Sequence, residues 1–512
     1  MKTVQLTGAG LSAAEVLAVA RFGAPVSLGA RAREMMAVSA EVVTRLVHSE
    51  QPAYGVSTGF GSLANVVIPA QKRTELQRRL VRSHAAGMGP PVEREVVRAM
   101  MLLRARALAM GYSGARAAVV ERIIALLNIG LTPVVPEHGS LGASGDLAPL
   151  AHCALVLLGE GEVDLSETGE RVRAGDALRD AGLAPLTLVA KEGLALINGT
   201  DGMLGLLVLA AHDLGRLLRI ADITAAMSVE ALLATDRAFA ADLVALRPQP
   251  GQQLSAANLR ALLAGSQIVA SHRCGDDRVQ DAYSLRCAPQ VTGAARDTLA
   301  HAEAVVAAEL RSAIDNPMVL PDGRVESCGN FHGAPLAFAC DALAIAAAEV
   351  GAIAEQRTDR LLDATRSSGL PPFLAEDPGV DSGLMIAQYT QAAMVAENRR
   401  LAAPASVGSL PASAMQEDHA SMGWSAARKL RTIVANLARI LAVELVCAAR
   451  GLDLREPLTP ATGTAAALAC VRSRVRGPGP DRWLSPELAA AEQLVAGGAV
   501  LDAVESEIGA LR

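Results

Sequence analysis

The sequence has few aromatic residues. They make up 2% of its 512 residues, whereas the hydrophobic set as a whole makes up 51%. Because Ala, Leu, Val and Glu dominate, the composition favours close-packed helices over sheets. A chain of this length can bury a large core and is long enough for two or three domains. We therefore expect a mainly α protein.

The sequence also lacks the electrostatic signals of several partner classes. Its formal net charge is −6 at pH 7, whereas binding to nucleic acid or to an anionic membrane needs concentrated Lys and Arg. The N-terminus has no apolar signal core, and apolar runs such as 202–211 are too short to cross a bilayer. We expect a soluble, cytoplasmic protein that acts on a small molecule, without nucleic acid or membrane partners.

The seven cysteines, scattered from Cys153 to Cys470, have no paired spacing. This excludes a disulfide framework and a zinc site built on cysteine pairs, and it fits a reducing compartment. Cys328 and His332 have the spacing of two metal ligands, but the sequence offers no further ligands nearby. We expect no metal site.

The most informative stretch is residues 139–152, GSLGASGDLAPLAH, with a run of three small residues at its centre. If the chain bends tightly there, the amide nitrogen of Gly145 can reach the carbonyl of Ala143, because glycine lacks a Cβ. Ring closure and loss of water, including the Ser144 hydroxyl, would leave a dehydroalanine methylene. That electrophile is one that no encoded side chain provides.

The residues after this stretch suit such a ring. Asp146 and Pro149 indicate the first turn of a helix, whose backbone N–H groups and dipole would favour negative charge on the ring carbonyl. The competing interpretation is a small-residue turn that joins a loop to an apolar helix. Residues 142–146 also lack the last glycine of a hydrolase Gly-x-Ser-x-Gly elbow.

Two other enzyme classes have short motifs elsewhere in the chain. Residues 55–59 match Gly-x-Ser-x-Gly, but a serine hydrolase needs a strand before the motif and a helix directly after it, whereas this sequence continues as a glycine-rich loop. Residues 8–13 superficially match a dinucleotide-binding fingerprint, but no clear βαβ repeat follows. A capped first helix explains the latter.

Three polar residues, each three positions after the last, occur in a segment that interrupts the predicted helical bundle. A helical turn would place Gln280, Tyr283 and Arg286 on one face, so that Arg286 can bind a carboxylate through two of its guanidinium nitrogens. A solvated helix face is the alternative. Only four tyrosines occur in the chain, which makes Tyr283 in a polar segment noteworthy.

The run at 139–152 resembles the signature of the aromatic amino acid ammonia-lyase family. The resemblance implies that residues Ala143, Ser144 and Gly145 cyclise autocatalytically into 4-methylideneimidazol-5-one, without an external cofactor. The loop that begins at Tyr54, YGVSTGFG, is similar to the loop that closes over the site in this family, so Tyr54 is implied to handle a proton. The implied fold is a long antiparallel helical bundle with a smaller, mostly helical N-terminal domain that carries the prosthetic group; we expect domains at 1–200 and 201–512.

The resemblance also implies the substrate-binding residues. Ser83 and His84 form the histidine-type pair with which the family selects the substrate ring, and Glu417 is implied to bind the imidazole. Taken alone, Ser83 and His84 also fit a helix C-terminus, and Glu417 also fits a helix N-terminus. The other implied roles are ordering of the ring by Asn198 and Gln280, catalytic support by Tyr283, carboxylate binding by Arg286 and lining of the pocket by Phe331.

The implied reaction is non-oxidative elimination of ammonia from L-histidine to give trans-urocanate, a carbon–nitrogen lyase step in histidine degradation. A tyrosine or phenylalanine ammonia-lyase, or an aminomutase of the same family, is the alternative. A non-catalytic helical scaffold is the alternative from a different class. The residues do not decide whether Tyr54, Tyr283 or Glu417 takes the β-proton.

An apolar stripe recurs in heptad steps over residues 336–354, as expected of bundled helices. It is too long and too apolar for a lone surface helix, so we expect helices of several chains to pack together. The family resemblance implies a homotetramer whose active sites draw residues from neighbouring subunits. Met415, Cys328 and residues 363–368 depart from the family pattern and put local packing, rather than the reaction, in question.

Overall fold

The structure, a computed structural model, describes residues 1–47, 54–166, 168–276 and 278–512. Over these residues it is mainly helical, which confirms the predicted fold class. The α-helices are α1 (Ala13–Ala20), α2 (Ala30–Val47), α3 (Arg73–His84), α4 (Arg94–Ala109), α5 (Ala117–Ile129), α6 (Leu147–Leu157), α7 (Ala174–Asp180), α8 (Glu192–Ile197), α9 (Asp201–Ala231), α10 (Ala241–Ala245), α11 (Pro250–Leu262), α12 (Gln267–Ala270), α13 (Tyr283–Arg286), α14 (Ala288–Glu309), α15 (Ala334–Leu362), α16 (Met385–Leu401), α17 (Gly423–Asp453), α18 (Thr462–Arg472), α19 (Ser485–Gly497) and α20 (Ala499–Ile508).

The strands are short and form small separate sheets. They are β1 (Val4–Leu6), β2 (Val26–Leu28), β3 (Met88–Pro91), β4 (Leu131–Pro133), β5 (Pro136–His138), β6 (Glu162–Leu165), β7 (Arg171–Arg173), β8 (Met318–Val319) and β9 (Val325–Glu326). Strands β1 and β2 pair in parallel, whereas β3–β5, β4–β6–β7 and β8–β9 are antiparallel.

The chain forms two compact units, and each is discontinuous in sequence. The sequence predicts two contiguous domains instead, at 1–200 and 201–512. The two descriptions differ because four of the five limits between the compact units fall inside long helices, α9, α14, α15 and α17. Unit 1 comprises 1–209, 303–340 and 404–428, and unit 2 comprises 210–302, 341–403 and 429–512.

Unit 1 packs around α4, which contacts α1, α2 and α5, while α3, α6 and α8 pack against one another. The helix α4 is buried along most of its length, arginines included. Arg98 donates hydrogen bonds to the carbonyls of Val19 and Leu127, which lie in the last turns of α1 and α5. The last carbonyls of a helix lack partners within it, so a buried arginine helps to satisfy two helix ends at once, although the Leu127 carbonyl also accepts from Gly130 N.

Unit 2 is built from long helices joined by buried polar contacts. The carboxylate of Glu444 on α17 is fully buried and accepts hydrogen bonds from Thr224 and Ser228 on α9, at 2.7 and 2.9 Å. It also forms an ion pair with Arg357 on α15, including a hydrogen bond of 2.9 Å. A buried carboxylate is tolerated only with such partners, so this cluster fixes the three helices in register.

The predicted heptad stripe lies on α15 and is buried. Its six residues are fully buried within the single chain, so the stripe itself does not require a second copy of the chain: Leu336, Cys340, Leu343, Ala347, Val350 and Ala354. The opposite side of α15 exposes large apolar side chains instead, with Phe338 61% exposed and Ile345 50% exposed.

Three helical segments are long and apolar enough to cross a membrane by length and composition alone: Glu192–Ala231, Ala334–Leu362 and Gly423–Asp453. The apolar runs are thus longer than the sequence predicts. The most apolar windows of the first and third segments are 100% and 83% buried inside the protein, so core packing covers most of their surface.

Candidate active site

A cavity of about 480 Å³ in unit 1 contains several of the predicted site residues. The glycine-rich loop after Tyr54, the helices α3, α6 and α8 and the turn before Glu417 form its walls. Most of the lining is apolar, which suits a small ligand fixed by a few polar groups. The predicted site residues that line it are Tyr54, Ser83, His84, Ser144 and Glu417.

The small-residue run bends where the sequence predicts. Residues 142–146 form consecutive bends directly before α6. Gly145 has φ of +76°, and a Cβ there would lie 2.1 Å from the carbonyl oxygen of Gly199, so only glycine fits. Ala143 is buried and Ser144 is half-buried on the cavity wall, with its hydroxyl donating to Asn198 Oδ1 at 2.5 Å. These residues fit the requirements of ring closure.

Asp146 lies at the start of α6, as the sequence predicts, but its side chain serves another helix. It occupies the N-cap position of α6, but its side chain makes no capping bond there. Its carboxylate instead accepts hydrogen bonds from Gly202 N and Met203 N, both at 2.9 Å, in the first turn of α9, and from the Ser140 hydroxyl. Full burial outweighs these bonds and raises the pKa of Asp146 to about 7.

Tyr54 presents its phenol at the cavity wall. The hydroxyl accepts a hydrogen bond from Gly61 N at 3.2 Å, and the ring packs edge-to-face against Phe60. Burial raises the pKa of Tyr54 above its usual value, and the charge of Glu417 adds to the effect. In this environment the phenol is protonated at neutral pH.

His84 is the last residue of α3, as the sequence predicts. Its Nδ1 lies 2.9 Å from the Leu80 carbonyl, which can only accept, so Nδ1 carries the proton and Nε2 is left as an acceptor. The Ser83 hydroxyl lies 3.1 Å from the same Nδ1. Burial lowers the pKa of His84, so its imidazole is neutral at pH 7.

Glu417 lies on a turn rather than at a helix N-terminus, since α17 begins only at Gly423. An isolated antiparallel bridge to Ala412 closes this turn. Ser413, on the same turn, accepts a hydrogen bond from Ser62 N at 3.1 Å and so ties the turn to the glycine-rich loop. Burial raises the pKa of the Glu417 carboxyl. The sequence gives no signal for this contact, because the serines are 351 residues apart.

Seven predicted site residues are not among the described residues that line the cavity: Ala143, Gly145, Asn198, Gln280, Tyr283, Arg286 and Phe331. Gln280, Tyr283 and Arg286 belong to unit 2, and Phe331 belongs to unit 1. Tyr283 and Arg286 share the short helix α13, with the guanidinium carbon 4.6 Å from the tyrosine ring centroid. Gln280 precedes this helix, so the predicted common face of a helical turn holds for two residues rather than three.

Asn198 connects the cavity to the interior of unit 1. Its side-chain nitrogen donates to Asp315 Oδ1 at 3.1 Å and to the carbonyl of Asn316 at 2.9 Å. Cys328, which departs from the family pattern, contacts the same segment through a hydrogen bond from its backbone N to Asn316 Oδ1. Asn198 therefore orients the Ser144 hydroxyl from the interior of unit 1. The residues that orient Asn198 were not identified from the sequence.

Comparisons with known proteins find similar sequences over the whole chain. The family model described as aromatic amino acid lyase matches residues 11–473. The chain is 59% identical over 512 residues to a histidine ammonia-lyase of Streptomyces avermitilis, with 100% of both chains covered. It is 52% identical over 512 residues to a histidine ammonia-lyase of Symbiobacterium thermophilum, again with both chains covered in full.

Solved structures show the same fold. A tyrosine aminomutase of Streptomyces globisporus superposes with a TM-score of 0.94 at 38% identity, covering 100% of both chains. A histidine ammonia-lyase of Trypanosoma cruzi superposes with a TM-score of 0.91 at 39% identity, covering 99% of this chain and 96% of that one. From its sequence matches over the full length, this chain belongs to the aromatic amino acid lyase family.

Proposed function

We propose that this protein eliminates ammonia from L-histidine to give trans-urocanate. The observation that carries the proposal is a single apolar cavity in which His84 and Glu417 accompany Ser144. Relatives with 52–59% identity over the whole chain carry the name histidine ammonia-lyase, which supports the same substrate.

The imidazole ring of histidine complements two of the polar groups that line the cavity, His84 and Glu417. His84 Nε2 is an acceptor, and Glu417 accepts when ionised and donates when protonated. A substrate imidazole can therefore bond to both groups, whereas a phenyl ring would leave both without a partner. A site built to bind a polar ring discriminates strongly against an apolar one for this reason.

We propose that Ala143, Ser144 and Gly145 form 4-methylideneimidazol-5-one and that no external cofactor is used. Once formed, this group supplies an electrophilic carbon that makes the substrate amine a better leaving group. Gly199 and Asn198 hold the segment, and α6 begins immediately after it, so its N-terminal dipole favours negative charge there.

The β-proton of the substrate is not acidic, so its removal needs a well-placed base. Tyr54 and Glu417 line the cavity, and Tyr283 is the third candidate. The raised pKa of Tyr54 means that this phenol acts as a base only if positive charge is brought near it. Arg286 would supply both that charge and the binding site for the substrate carboxylate.

We propose a cytoplasmic homotetramer in which Gln280, Tyr283 and Arg286 of one subunit complete the cavity of another, with Phe331 lining it. Exposed apolar side chains on α15 and α16 support subunit contacts: Ile345, Ile386 and Tyr389 are each at least 50% exposed. The cysteines are not joined by disulfides, which fits a reducing compartment.

The test is incubation of purified protein with L-histidine, L-tyrosine and L-phenylalanine in parallel. We expect urocanate, detected by its ultraviolet absorbance, and little product from the other two amino acids. Formation of a β-amino acid would favour the aminomutase alternative, to which the likeness to tyrosine aminomutase points. Absence of any product, with the full encoded mass, would favour the scaffold alternative.

A further inference from the structure

A buried ion pair lies behind the contact between Ser144 and Asn198. Lys191 Nζ and Asp315 Oδ2 are 2.7 Å apart, and both side chains are 0% exposed. Burying two charges is costly, and an apolar pair of similar size often serves stability as well. The position of this pair therefore requires an explanation beyond stability.

The ion pair determines how the amide of Asn198 is oriented. Asp315 binds Lys191 through one carboxylate oxygen and accepts from Asn198 Nδ2 through the other, at 3.1 Å. The carbonyl of Asn316 accepts from the same nitrogen. Because both groups can only accept, the amide nitrogen of Asn198 faces them and its oxygen faces the Ser144 hydroxyl.

The backbone around this network is held by a different residue. Arg104 donates to the carbonyl of Asn198 at 2.9 Å and to the carbonyl of Ile314 at 2.8 Å. The backbone positions of Asn198 and Asp315 are thus fixed without Lys191. What Lys191 adds is a charged donor to one oxygen of the Asp315 carboxylate, whose other oxygen also accepts from Asn316 N at 2.7 Å.

Lys191 also has an unusual backbone conformation. Its φ is +67°, in the left-handed region that non-glycine residues rarely adopt. Such strain persists where surrounding contacts require it and occurs often at functional sites. At this position it directs a lysine side chain into the interior, directly before α8.

We propose that Lys191 and Asp315 are a positioning pair for formation of the prosthetic group. They fix the Asn198 amide so that its oxygen holds the Ser144 hydroxyl in one orientation while the ring forms. This inference rests on the proposed function, and it assigns roles to two residues that do not line the cavity.

The chemistry needs no oxidant or external reagent. The nitrogen of Gly145 forms a bond to the carbonyl carbon of Ala143, and its proton moves to the carbonyl oxygen. That oxygen leaves as water with the N–H proton of Ser144, which creates a C=N bond. The Cα–H and the Cβ hydroxyl of Ser144 then leave as a second water and a C=C bond forms, so the orientation of this hydroxyl matters for the last step.

The sharpest test is Asp315→Asn, which preserves volume. Lys191 would keep donating to the oxygen at position 315, so the new amide nitrogen would face two donors, the amide nitrogen of Asn198 and the backbone N–H of Asn316. Donors repel one another, so Asn198 loses the acceptor at position 315 that helps to orient its amide. We expect this variant to lose water about tenfold more slowly than the wild type. Intact-mass measurements at intervals after synthesis give the rate.

Glu192→Gln is the matched control. Glu192 is also 0% exposed, follows Lys191 directly and forms an ion pair with Arg116. Glu192→Gln therefore removes the charge of one fully buried carboxylate, as Asp315→Asn does. Its hydrogen bonds go to Arg116 and Val189 rather than to Asn198. This variant should lose water as fast as the wild type, and thermal unfolding of both variants shows whether their folds are equally stable.

A second pair of variants changes the lysine of the ion pair. Lys191→Met should also slow the loss of water. Lys191→Arg keeps the positive charge, so it should lose water at the rate of the wild type. If Asp315→Asn and Lys191→Met lose water as fast as Glu192→Gln, or if both are insoluble, the pair does not act by positioning and the inference is overturned. A full encoded mass in the wild type would instead contradict the proposed prosthetic group.

Discussion

At the scale of single residues, His84 and Glu417 are two of the polar side chains that line the cavity. Burial lowers the pKa of His84 and raises that of Glu417, so both environments favour the uncharged side chain. An uncharged polar group in an apolar cavity still costs free energy when it has no hydrogen-bond partner. Substrate choice therefore depends on whether the ligand ring supplies partners.

The first prediction concerns His84→Leu. Loss of one paired hydrogen bond costs about 1–3 kcal/mol, so kcat/KM for histidine should fall roughly 10- to 100-fold, while the gap to phenylalanine and tyrosine narrows. Steady-state kinetics with the three amino acids checks this. Ser83→Ala should have a smaller effect because the bond from His84 Nδ1 to Leu80 remains. Comparable wild-type rates on all three substrates would refute the assignment.

The second prediction concerns Gly145→Ala. The added methyl group would meet the Gly199 oxygen at 2.1 Å, and φ of +76° is itself unfavourable for alanine. We expect the variant to keep its full encoded mass and to lack activity. Gly182→Ala is the control, because Gly182 has φ of +67° and nothing within 4 Å. If the Gly145 variant still loses water, the bend does not direct ring closure.

At the scale of elements, the start of α9 depends on Asp146, which lies far from it in sequence. The backbone N–H groups of the first helical turn have no partners within the helix. Asp146 satisfies those of Gly202 and Met203, and it follows Gly145 directly in sequence. One side chain thus joins the start of a long helix to the segment that is proposed to form the prosthetic group.

The third prediction is that Asp146→Ala lowers the free energy of unfolding by about 2 kcal/mol or more, because two buried N–H groups lose their acceptor. Chemical denaturation measures the loss. Asp297→Ala should cost less, since Asp297 accepts one such bond, from Gly251 at the start of α11. Equal losses in the two variants would show that Asp146 is not the main cap of α9.

The same residue gives a dependence on pH. The folded pKa of Asp146 is about 7, above its ordinary value of 3.8, so folding favours the protonated form. Its contribution to the free energy of unfolding is therefore largest at low pH and falls as pH rises from about 4 to about 7. The difference between wild type and Asp146→Ala should shrink over this window, and no change with pH would contradict the raised pKa.

At the scale of the whole molecule, the proposal is that active sites are shared between subunits, because Gln280, Tyr283 and Arg286 are not among the described residues that line the cavity. The fourth prediction is that two inactive variants, Tyr54→Phe and Tyr283→Phe, regain activity when expressed together. Mixed tetramers would contain sites with both tyrosines. Light scattering should give the mass of a tetramer, and an active monomer, or no recovery of activity, would contradict shared sites.

Much of the protein was predictable from local pattern. The helical class follows from composition, the end of α3 at His84 from a following glycine, and the bend at Gly145 from a run of small residues, because each depends on near neighbours in sequence. The apolar stripe on α15 was predicted correctly as a buried face, but its covering lies within the same chain, so it gave no measure of the oligomeric state.

The sequence by itself determined the family, and it predicted Tyr54, His84, Ser144 and Glu417, which line the cavity, since these are carried by short motifs. Only the tertiary structure decided that Asp146 caps α9 and that Lys191 and Asp315 orient Asn198. The reason is physical: a buried charge or amide is satisfied by whichever partner the fold brings near, and Lys191 meets Asp315 across 124 residues of chain.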